Sequence, residues 1–194
     1  KILDPLQYGF RQGRGCNDAI GMMLNHISKL IESGKSALVI SLDISKAFDS
    51  VDHRILLRKL NFLGIRGPAY DVFSSFLANR KQIVKFNQEF SSSEIVELGV
   101  PQGSNLGPLL FNLMINDICA LSMNSKILKY ADDIVMILTL DKKTPHININ
   151  NLQSDISTIM KYYNSNSLKL NLIKSKYMLV GNNAHEELEE ILAE

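Results

Sequence analysis

Three aspartates stand out because they follow or separate segments that are typical of buried strands. Asp43 comes directly after the apolar run at 37–42, and Asp132 and Asp133 lie between two further apolar segments. Any one of them is explained as a turn residue, because Asp is favoured in turns. Clustered carboxylates repel each other, however, unless a cation such as Mg²⁺ neutralises them. Two such ions about 3.5–4 Å apart clamp the attacking and leaving oxygens of a phosphoryl transfer, so these residues indicate a two-metal phosphoryl- or nucleotidyl-transfer site.

The elements that must position these aspartates follow from the hydrophobic pattern. The β-branched run at 37–42 predicts a buried strand that ends at Asp43. The segments 127–130 and 134–138 predict a hairpin with both other carboxylates near its tip. Helices are predicted over 20–31, around 52–61, from Pro68 to about Asn79 and from Leu152 to Tyr163, and further strands within 82–98 around a turn at 90–93, at 168–173 and at 177–181. This mixture favours an α+β sheet with helices on one face.

A third region lies between the two acidic ones. The stretch from Gly99 to Pro108 contains too many glycines and prolines for a regular helix or strand. It continues directly into the apolar segment 109–115. We therefore predict a shaped loop that enters a buried helix.

The composition excludes several classes of protein. The chain has 194 residues, with 21 basic and 20 acidic side chains and 45% hydrophobic residues, which is typical of a globular domain rather than a disordered or fibrous chain. Cys16 and Cys119 form no metal-ligand pattern, which favours a reduced intracellular protein. No apolar run approaches the roughly 20 residues of a membrane span, and no signal peptide is visible. We expect a soluble protein of the cytoplasm or nucleus, without a membrane partner.

The charges are unevenly distributed along the chain. Residues 1–90 carry 13 Lys and Arg against 8 Asp and Glu, whereas residues 91–194 carry 8 against 12. A basic first half is compatible with a polyanionic partner. The acids at the end of the chain predict a solvated acidic tail over 182–194, and the start at Lys1 indicates an excerpt from a larger protein.

Five sequence blocks occur in a defined order along residues 7–181. They are Gln7-Tyr8-Gly9-Phe10-Arg11-Gln12-Gly13-Arg14, Asp43-Ile44-Ser45-Lys46-Ala47-Phe48-Asp49, Gly99 to Phe111, Tyr130-Ala131-Asp132-Asp133, and Leu168-Lys169-Leu170-Asn171-Leu172-Ile173-Lys174-Ser175-Lys176. In this order they resemble the fingers block and motifs A, B, C and D of reverse transcriptases, most closely those of non-LTR retrotransposons, with group II intron enzymes as near relatives. The long third block, placed between the two acidic blocks, carries the resemblance.

The resemblance implies a metal site with named ligands. Asp43 and Asp132 would be the indispensable metal ligands, the backbone carbonyl of Ile44 would supply a further oxygen, and Asp133 would add negative charge. The cofactor implied is Mg²⁺, as two ions, for which Mn²⁺ can substitute. The reaction implied is RNA-directed DNA synthesis, in which deoxynucleoside triphosphates extend a DNA primer on an RNA template.

The resemblance also implies a nucleotide pocket. Phe48 occupies the position of the family's steric gate, where an aromatic ring would exclude a ribose 2′-OH; its alternative role is that of a core aromatic. Gln102 and Gly103 would line the pocket, because an amide can hydrogen-bond sugar or phosphate and glycine lets the backbone approach closely.

Three basic residues receive expected roles with plain alternatives. Lys174 falls where relatives carry a lysine that would protonate the leaving pyrophosphate, although a surface lysine explains it equally well. Arg11 would contact the incoming nucleotide, and Arg14 would meet phosphates of template or nucleotide. Both arginines are also explained by a charged surface turn.

The resemblance implies the fold and its divisions. We expect a polymerase palm, which is a ferredoxin-like antiparallel sheet with helices on one face, together with part of the fingers. Residues 1–36 would belong to the fingers and 37–181 to the palm, with a fingers/palm insertion around 62–98, and the thumb would be absent. The sequence predicts no oligomeric state.

Two alternatives stay open at this point. One is another two-metal palm activity, such as a cyclase or a DNA-templated polymerase, against which the motif B resemblance argues. The other is an inactive or incomplete domain, derived from a mobile element, that only binds nucleic acid. The intact Asp43, Asp132 and Asp133 argue against such decay.

Overall fold

A four-stranded antiparallel sheet lies at the centre of the protein, for which a computed structural model describes residues 2–181. The helices are α1 (Cys16–Glu32), α2 (His53–Phe62), α3 (Pro68–Leu77), α4 (Gly107–Met114) and α5 (Pro145–Ser165). The strands are β1 (Ser36–Leu42), β2 (Lys81–Gln82), β3 (Lys85–Phe86), β4 (Glu89–Phe90), β5 (Glu94–Ile95), β6 (Lys126–Tyr130), β7 (Asp133–Leu140) and β8 (Lys176–Val180). Short 3₁₀ helices cover Ala47–Ser50 and Asn116–Ala120.

The central sheet has the strand order β6-β7-β1-β8, and every neighbouring pair is antiparallel. The chain reaches it as β1, a helical crossover through α2 to α4, the β6–β7 hairpin, α5 and β8. This is the β-α-β-β-α-β arrangement of a ferredoxin-like sheet. The predicted α+β fold with an antiparallel sheet is confirmed, but the expectation that the helices lie on one face is wrong, because α1 packs on the face opposite to that of α2, α4 and α5.

The two faces of the sheet are covered by different helices. Leu42 of β1 packs in the main core with residues of α2, α4 and α5. Val39, which points to the other face because strand side chains alternate, packs with Ile27 of α1. The helix expected to belong to the fingers therefore packs directly on the central sheet, and the division into fingers and palm stays a prediction.

Two sequence-based expectations are wrong in detail. The segment 168–173 is not a strand: Leu170 forms one isolated bridge with Ile44, and the chain then turns. The Asn171 side chain accepts a hydrogen bond from the Lys174 N–H (3.3 Å), and the Asn171 carbonyl accepts one from the Ser175 N–H (2.9 Å). This turn delays the last strand until Lys176.

The insertion between α3 and motif B also differs from the prediction. It contains two nested two-stranded ladders, β2 with β5 and β3 with β4, rather than two longer strands. The inner turn lies at Asn87 and Gln88, whose φ values are +44° and +69°, and not at 90–93. Left-handed residues at both central positions suit the tight turns that join twisted strands.

Three further expectations concern the rest of the chain. Cys16 and Cys119 are both free thiols. Among residues 2–181, no helix combines the length and the apolar character needed to cross a membrane. The predicted acidic tail at 182–194 lies outside the described residues.

Candidate active site

The structure brings the three predicted aspartates to one end of the two central strands. Leu42 of β1 pairs with Ile134 of β7, so Asp43, the next residue, reaches the level of Asp133 at the start of β7. Tyr130 pairs with Asp133, which leaves Ala131 and Asp132 as the two residues of the hairpin turn. Carboxylates about ninety positions apart in the sequence are thus brought to the same end of the central strands.

The charges of these carboxylates act on each other. The pKa of Asp133 is raised, first by partial desolvation and then by the negative charges of Asp132 and Asp43. An adjacent like charge disfavours the ionised form of a carboxyl group. The three side chains therefore form an electrostatically unfavourable group that a bound cation would stabilise.

The donor set suits a divalent metal, but it is not preassembled. Within residues 2–181, no three His, Cys, Asp or Glu side chains lie close enough together to hold a metal ion as they stand. Carboxylate and carbonyl oxygens are the ligands that Mg²⁺ prefers. The chemistry of the aspartates fits such an ion, and their side chains would have to rotate to share it.

The backbone around Asp43 is held by the segment that precedes β8. The Asp43 N–H donates to the Ser175 hydroxyl (3.2 Å), and the Asp43 carbonyl accepts from the Asn171 N–H (2.8 Å). The Ser45 N–H donates to the Lys169 carbonyl (2.7 Å). In this ladder, Ile44 occupies the position whose own N–H and carbonyl face away from the partner strand. The carbonyl predicted to bind metal is therefore not used by the bridge to motif D.

The turn that carries Asp132 rests on the N-terminal segment. Ala131 has φ +54°, a left-handed conformation that is uncommon outside glycine. The buried side chain of Gln7 hydrogen-bonds both the N–H and the carbonyl of Ala131. Gln7 lies in the block that resembles the fingers of reverse transcriptases, and the sequence predicts no role for it. Its only signal was the Gln-x-Gly spacing, in which Gly9 permits a close approach.

Phe48 lies on the 3₁₀ helix after β1 and is half-buried. Its ring stacks on Phe111 of α4, with centroids 4.7 Å apart and an angle of 26°, and meets the edge of Phe10 at 6.2 Å. The Phe48 carbonyl accepts a hydrogen bond from the Val100 N–H (2.8 Å). Phe48 thus joins motif A to motif B through packing, which agrees with the core role and leaves the gate role a prediction.

Gln102 and Gly103 lie on the exposed loop that leads into α4. The Gln102 side chain donates to Asp49 Oδ1 (2.8 Å), so it faces the 3₁₀ helix that carries Phe48. Gly103 has φ +80°, and a Cβ there would meet nothing within 4 Å. The space around Gly103 is therefore open, and a glycine is favoured there by its backbone conformation rather than by crowding within the chain.

The three predicted basic residues have less direct relations to the aspartates. Lys174 is exposed in the turn before β8. The guanidinium of Arg11 donates to the carbonyls of Asp4 and Gln7, and that of Arg14 lies 4.9 Å from the centre of the Tyr8 ring. Both arginines thus contact the N-terminal segment itself, and their roles at a nucleotide stay predictions.

Comparison with known proteins decides the family. The family described as reverse transcriptase (RNA-dependent DNA polymerase) matches residues 1–190. The chain belongs to the reverse transcriptase family. The predicted resemblance is thereby confirmed, and the blocks around Asp43, motif B and Asp132 lie within the matched region of this reverse transcriptase domain.

The relatives of this reverse transcriptase domain come from mobile elements. It is 31% identical over 144 residues to a probable RNA-directed DNA polymerase from transposon BS of Drosophila melanogaster, covering 71% of this chain and 16% of that protein. It is 31% identical over 144 residues to the RNA-directed DNA polymerase from mobile element jockey of Drosophila funebris, with the same coverage. It is 26% identical over 186 residues to a Pol polyprotein from the R2 element of Popillia japonica, covering 89% and 25%. The chain therefore spans a quarter or less of these relatives.

Solved structures confirm the fold. The reverse transcriptase domain superposes on telomerase from Candida tropicalis in complex with a fragment of telomeric RNA with a TM-score of 0.65. The match covers 90% of this chain and 30% of that one, at 14% sequence identity. The apo telomerase of the same organism matches with a TM-score of 0.64, at 13% identity, over 89% of this chain and 33% of that one. The expected palm-type polymerase fold is thus confirmed.

Proposed function

We propose that this chain is the catalytic core of a retrotransposon RNA-directed DNA polymerase. It would add deoxynucleotides to the 3′-OH of a DNA primer paired with an RNA template and release pyrophosphate. The observation that carries the proposal is the meeting of Asp43 with Asp132 and Asp133 at one edge of the central sheet, within a chain of the reverse transcriptase family. The cytoplasm and the nucleus, where RNA templates and nucleotides occur, are the proposed compartments.

The aspartates would hold the divalent metal ions of this reaction. Asp43 and Asp132 would be the principal ligands, with the Ile44 carbonyl as a further oxygen and Asp133 as additional charge. Two bound Mg²⁺ ions, or Mn²⁺ in their place, would supply the charge that stabilises the attacking and leaving oxygens. The protein's own contribution is to keep the aspartates near one another at the end of β1 and the tip of the β6–β7 hairpin.

Motifs A and B would bind the incoming nucleotide between them. Phe48, held against Phe111, would exclude a ribose 2′-OH, while Gln102 and Gly103 border the open side of the loop. Lys174 is exposed, and its side chain would have to extend from the turn to reach a pyrophosphate group. Arg11 would need to exchange its bonds to backbone carbonyls for a phosphate.

Primer extension on poly(rA)/oligo(dT) with Mg²⁺ tests the proposal, on the full chain and on a longer parent protein. Asp43→Ala and Asp132→Ala should each reduce extension to less than about one part in a hundred, because loss of such electrostatic stabilisation costs this much or more. Thermal unfolding and binding of primer–template, measured separately, should change little.

Asp141→Ala is the matched control, because Asp141 follows the other end of β7, about 26 Å from Asp133 at the rise of a β-strand. This variant should extend the primer as well as the same protein without the substitution. Extension above about one part in a hundred in either active-site variant would refute the metal-ligand assignment. Binding of primer–template without any extension, in the parent protein as well, would instead favour a domain that only binds nucleic acid.

A further inference from the structure

The turn between β6 and β7 has an unusual backbone for its sequence. Two-residue hairpin turns favour Asn or Gly, because both central positions often require positive φ. Here the first position is Ala131, with φ +54°. The next residue is Asp132, so any relaxation of the Ala131 backbone would also redirect this carboxylate. The turn therefore needs support from outside the hairpin.

The side chain of Gln7 supplies that support. Its Oε1 accepts hydrogen bonds from the N–H groups of Ala131 (3.1 Å) and Gly9 (2.9 Å), and its Nε2 donates to the Ala131 carbonyl (3.3 Å). Two backbone N–H groups require an acceptor at the same place, which fixes the orientation of the amide. Gln7 is only 1% exposed, so water cannot readily replace these bonds. One amide thus holds both polar groups of the left-handed residue.

Gln7 is itself held against the hairpin. The Tyr8 N–H donates to the Lys129 carbonyl (2.8 Å), and the Lys129 N–H donates to the Leu6 carbonyl (3.0 Å), which adds residues 6–8 as a short parallel edge to β6. A Cβ on Gly9 would lie 2.2 Å from the Ala131 nitrogen, so the two backbones approach as closely as glycine permits. The buried amide is therefore placed by the backbone on both sides.

We propose that Gln7 is a positioning residue, whose amide fixes the Ala131 peptide and thereby the direction of Asp132. Its importance for synthesis rests on the proposed polymerase function, but its effect on the turn does not. An amide is suited to this role because it can accept from the N–H and donate to the carbonyl of one residue at the same time. A carboxylate can do only the first, and an apolar side chain neither.

Amide hydrogen exchange of the full chain, followed residue by residue by NMR, tests this proposal. The first variant is Gln7→Met, whose side chain has a similar size but can neither accept nor donate these hydrogen bonds. The second is Gln7→Glu, whose side chain is only a hydrogen-bond acceptor when its carboxyl group is ionised. Exchange at Ala131 should rise about tenfold or more in Gln7→Met relative to Ile137 in the middle of β7, because the Ala131 N–H loses its buried partner. Gln7→Glu should give a smaller rise at Ala131.

Asp155→Asn is the matched control for loss of a buried polar contact. Asp155 is fully buried on α5 and accepts hydrogen bonds from the N–H groups of Asn124 and Ser125. This variant should raise exchange at Ser125 while leaving the ratio of Ala131 to Ile137 unchanged. In parallel, Mn²⁺ binding, measured by electron paramagnetic resonance, should weaken several-fold in Gln7→Met and not in the control.

The outcomes separate the two proposals. Unchanged exchange at Ala131 in Gln7→Met, or an equal rise at Ala131 and Ile137, would overturn the positioning role whatever the activity of the parent chain. A selective rise at Ala131 with parental Mn²⁺ affinity would show that the turn does not direct Asp132 and would also overturn it. A selective rise with weaker Mn²⁺ binding supports the role, even if absent extension by the parent protein refutes the polymerase function.

Discussion

Gly99 and Gly64 provide a comparison in which one backbone conformation occurs in two different environments. Both residues have φ +87°. A Cβ on Gly99 would lie 2.9 Å from both the Cα and the carbonyl oxygen of Asp49, whereas a Cβ on Gly64 would meet nothing within 4 Å. Substitution by alanine therefore adds the same backbone strain at both positions, but a collision with motif A only at Gly99.

The expected free-energy costs follow from these two terms. A left-handed backbone costs an alanine about 1–2 kcal/mol, and the stiffer unfolded chain offsets about 0.4–1 kcal/mol of this. Gly64→Ala should therefore reduce the free energy of unfolding by about 1 kcal/mol. Gly99→Ala should cost about 2–4 kcal/mol, because overpacking against a backbone adds about 1–3 kcal/mol. The Gly99 backbone has little freedom to move, since its N–H donates to the Val51 carbonyl (2.8 Å).

Urea unfolding of the two variants and the parent, analysed with a common m-value, measures this difference. Primer extension should fall further in Gly99→Ala than in Gly64→Ala, because Asp49 belongs to the 3₁₀ helix that carries Phe48. Equal destabilisation by the two substitutions, within about 0.5 kcal/mol, would refute the claim that the contact between Gly99 and Asp49 is tight.

Three further predictions concern charge and specificity. Burial raises the pKa of Asp52 at the start of α2, but hydrogen bonds from the Arg54 side chain and from backbone N–H groups outweigh burial, so the pKa is lowered. The protein should therefore be more stable than its Asp52→Asn variant above about pH 4, and this advantage should disappear as the pH falls through the lowered pKa. Urea unfolding at a series of pH values measures the difference. Phe48→Val should increase the acceptance of ribonucleotides about tenfold or more in single-nucleotide extension, because it removes the clash with the ribose 2′-OH. Phe73→Val on α3 is the control and should leave the acceptance of ribonucleotides unchanged. An unchanged ratio of ribonucleotide to deoxynucleotide use in Phe48→Val would leave Phe48 as a core residue. Binding of primer–template should weaken with salt at a slope of about −0.9 in log K per phosphate contacted, and nanomolar binding that hardly responds to salt would contradict this.

The parts of the site that the sequence predicts are those built on continuous apolar strands. The run before Asp43 and the two runs around Asp132 are buried elements with sharp ends, so the hydrophobic pattern locates both the strands and the carboxylates beside them. The mutual placement of the strands is implied by the resemblance to a family and not by the hydrophobic pattern, because pairing across about ninety residues leaves no local signal.

The parts that the sequence does not predict depend on side chains that bond to backbone. Residues 168–173 alternate in polarity like a strand, but the Asn171 side chain accepts from the Lys174 N–H and turns the chain, which leaves Leu172 exposed. Gln7 has its partner 124 positions further on, at Ala131, and the nearby Gly9 alone is too weak a signal to distinguish it from a surface glutamine. Such long-range polar contacts become visible only when the chain is folded.

The pairing of β1 with β7 has a consequence for how this fold tolerates changes in length. The two strands are joined by a long excursion through α2, α3, the nested ladders and α4. The entropy of closing such an excursion grows only logarithmically, by about 0.6 kcal/mol for each doubling of its length, so loops within it can be lengthened at little cost. Inserting one residue inside β1 or β7 is different, because strand side chains alternate with a period of two. Such an insertion would turn half of a strand to the opposite face and separate Asp43 from Asp133, and an otherwise well-folded sheet would then lack its paired carboxylates.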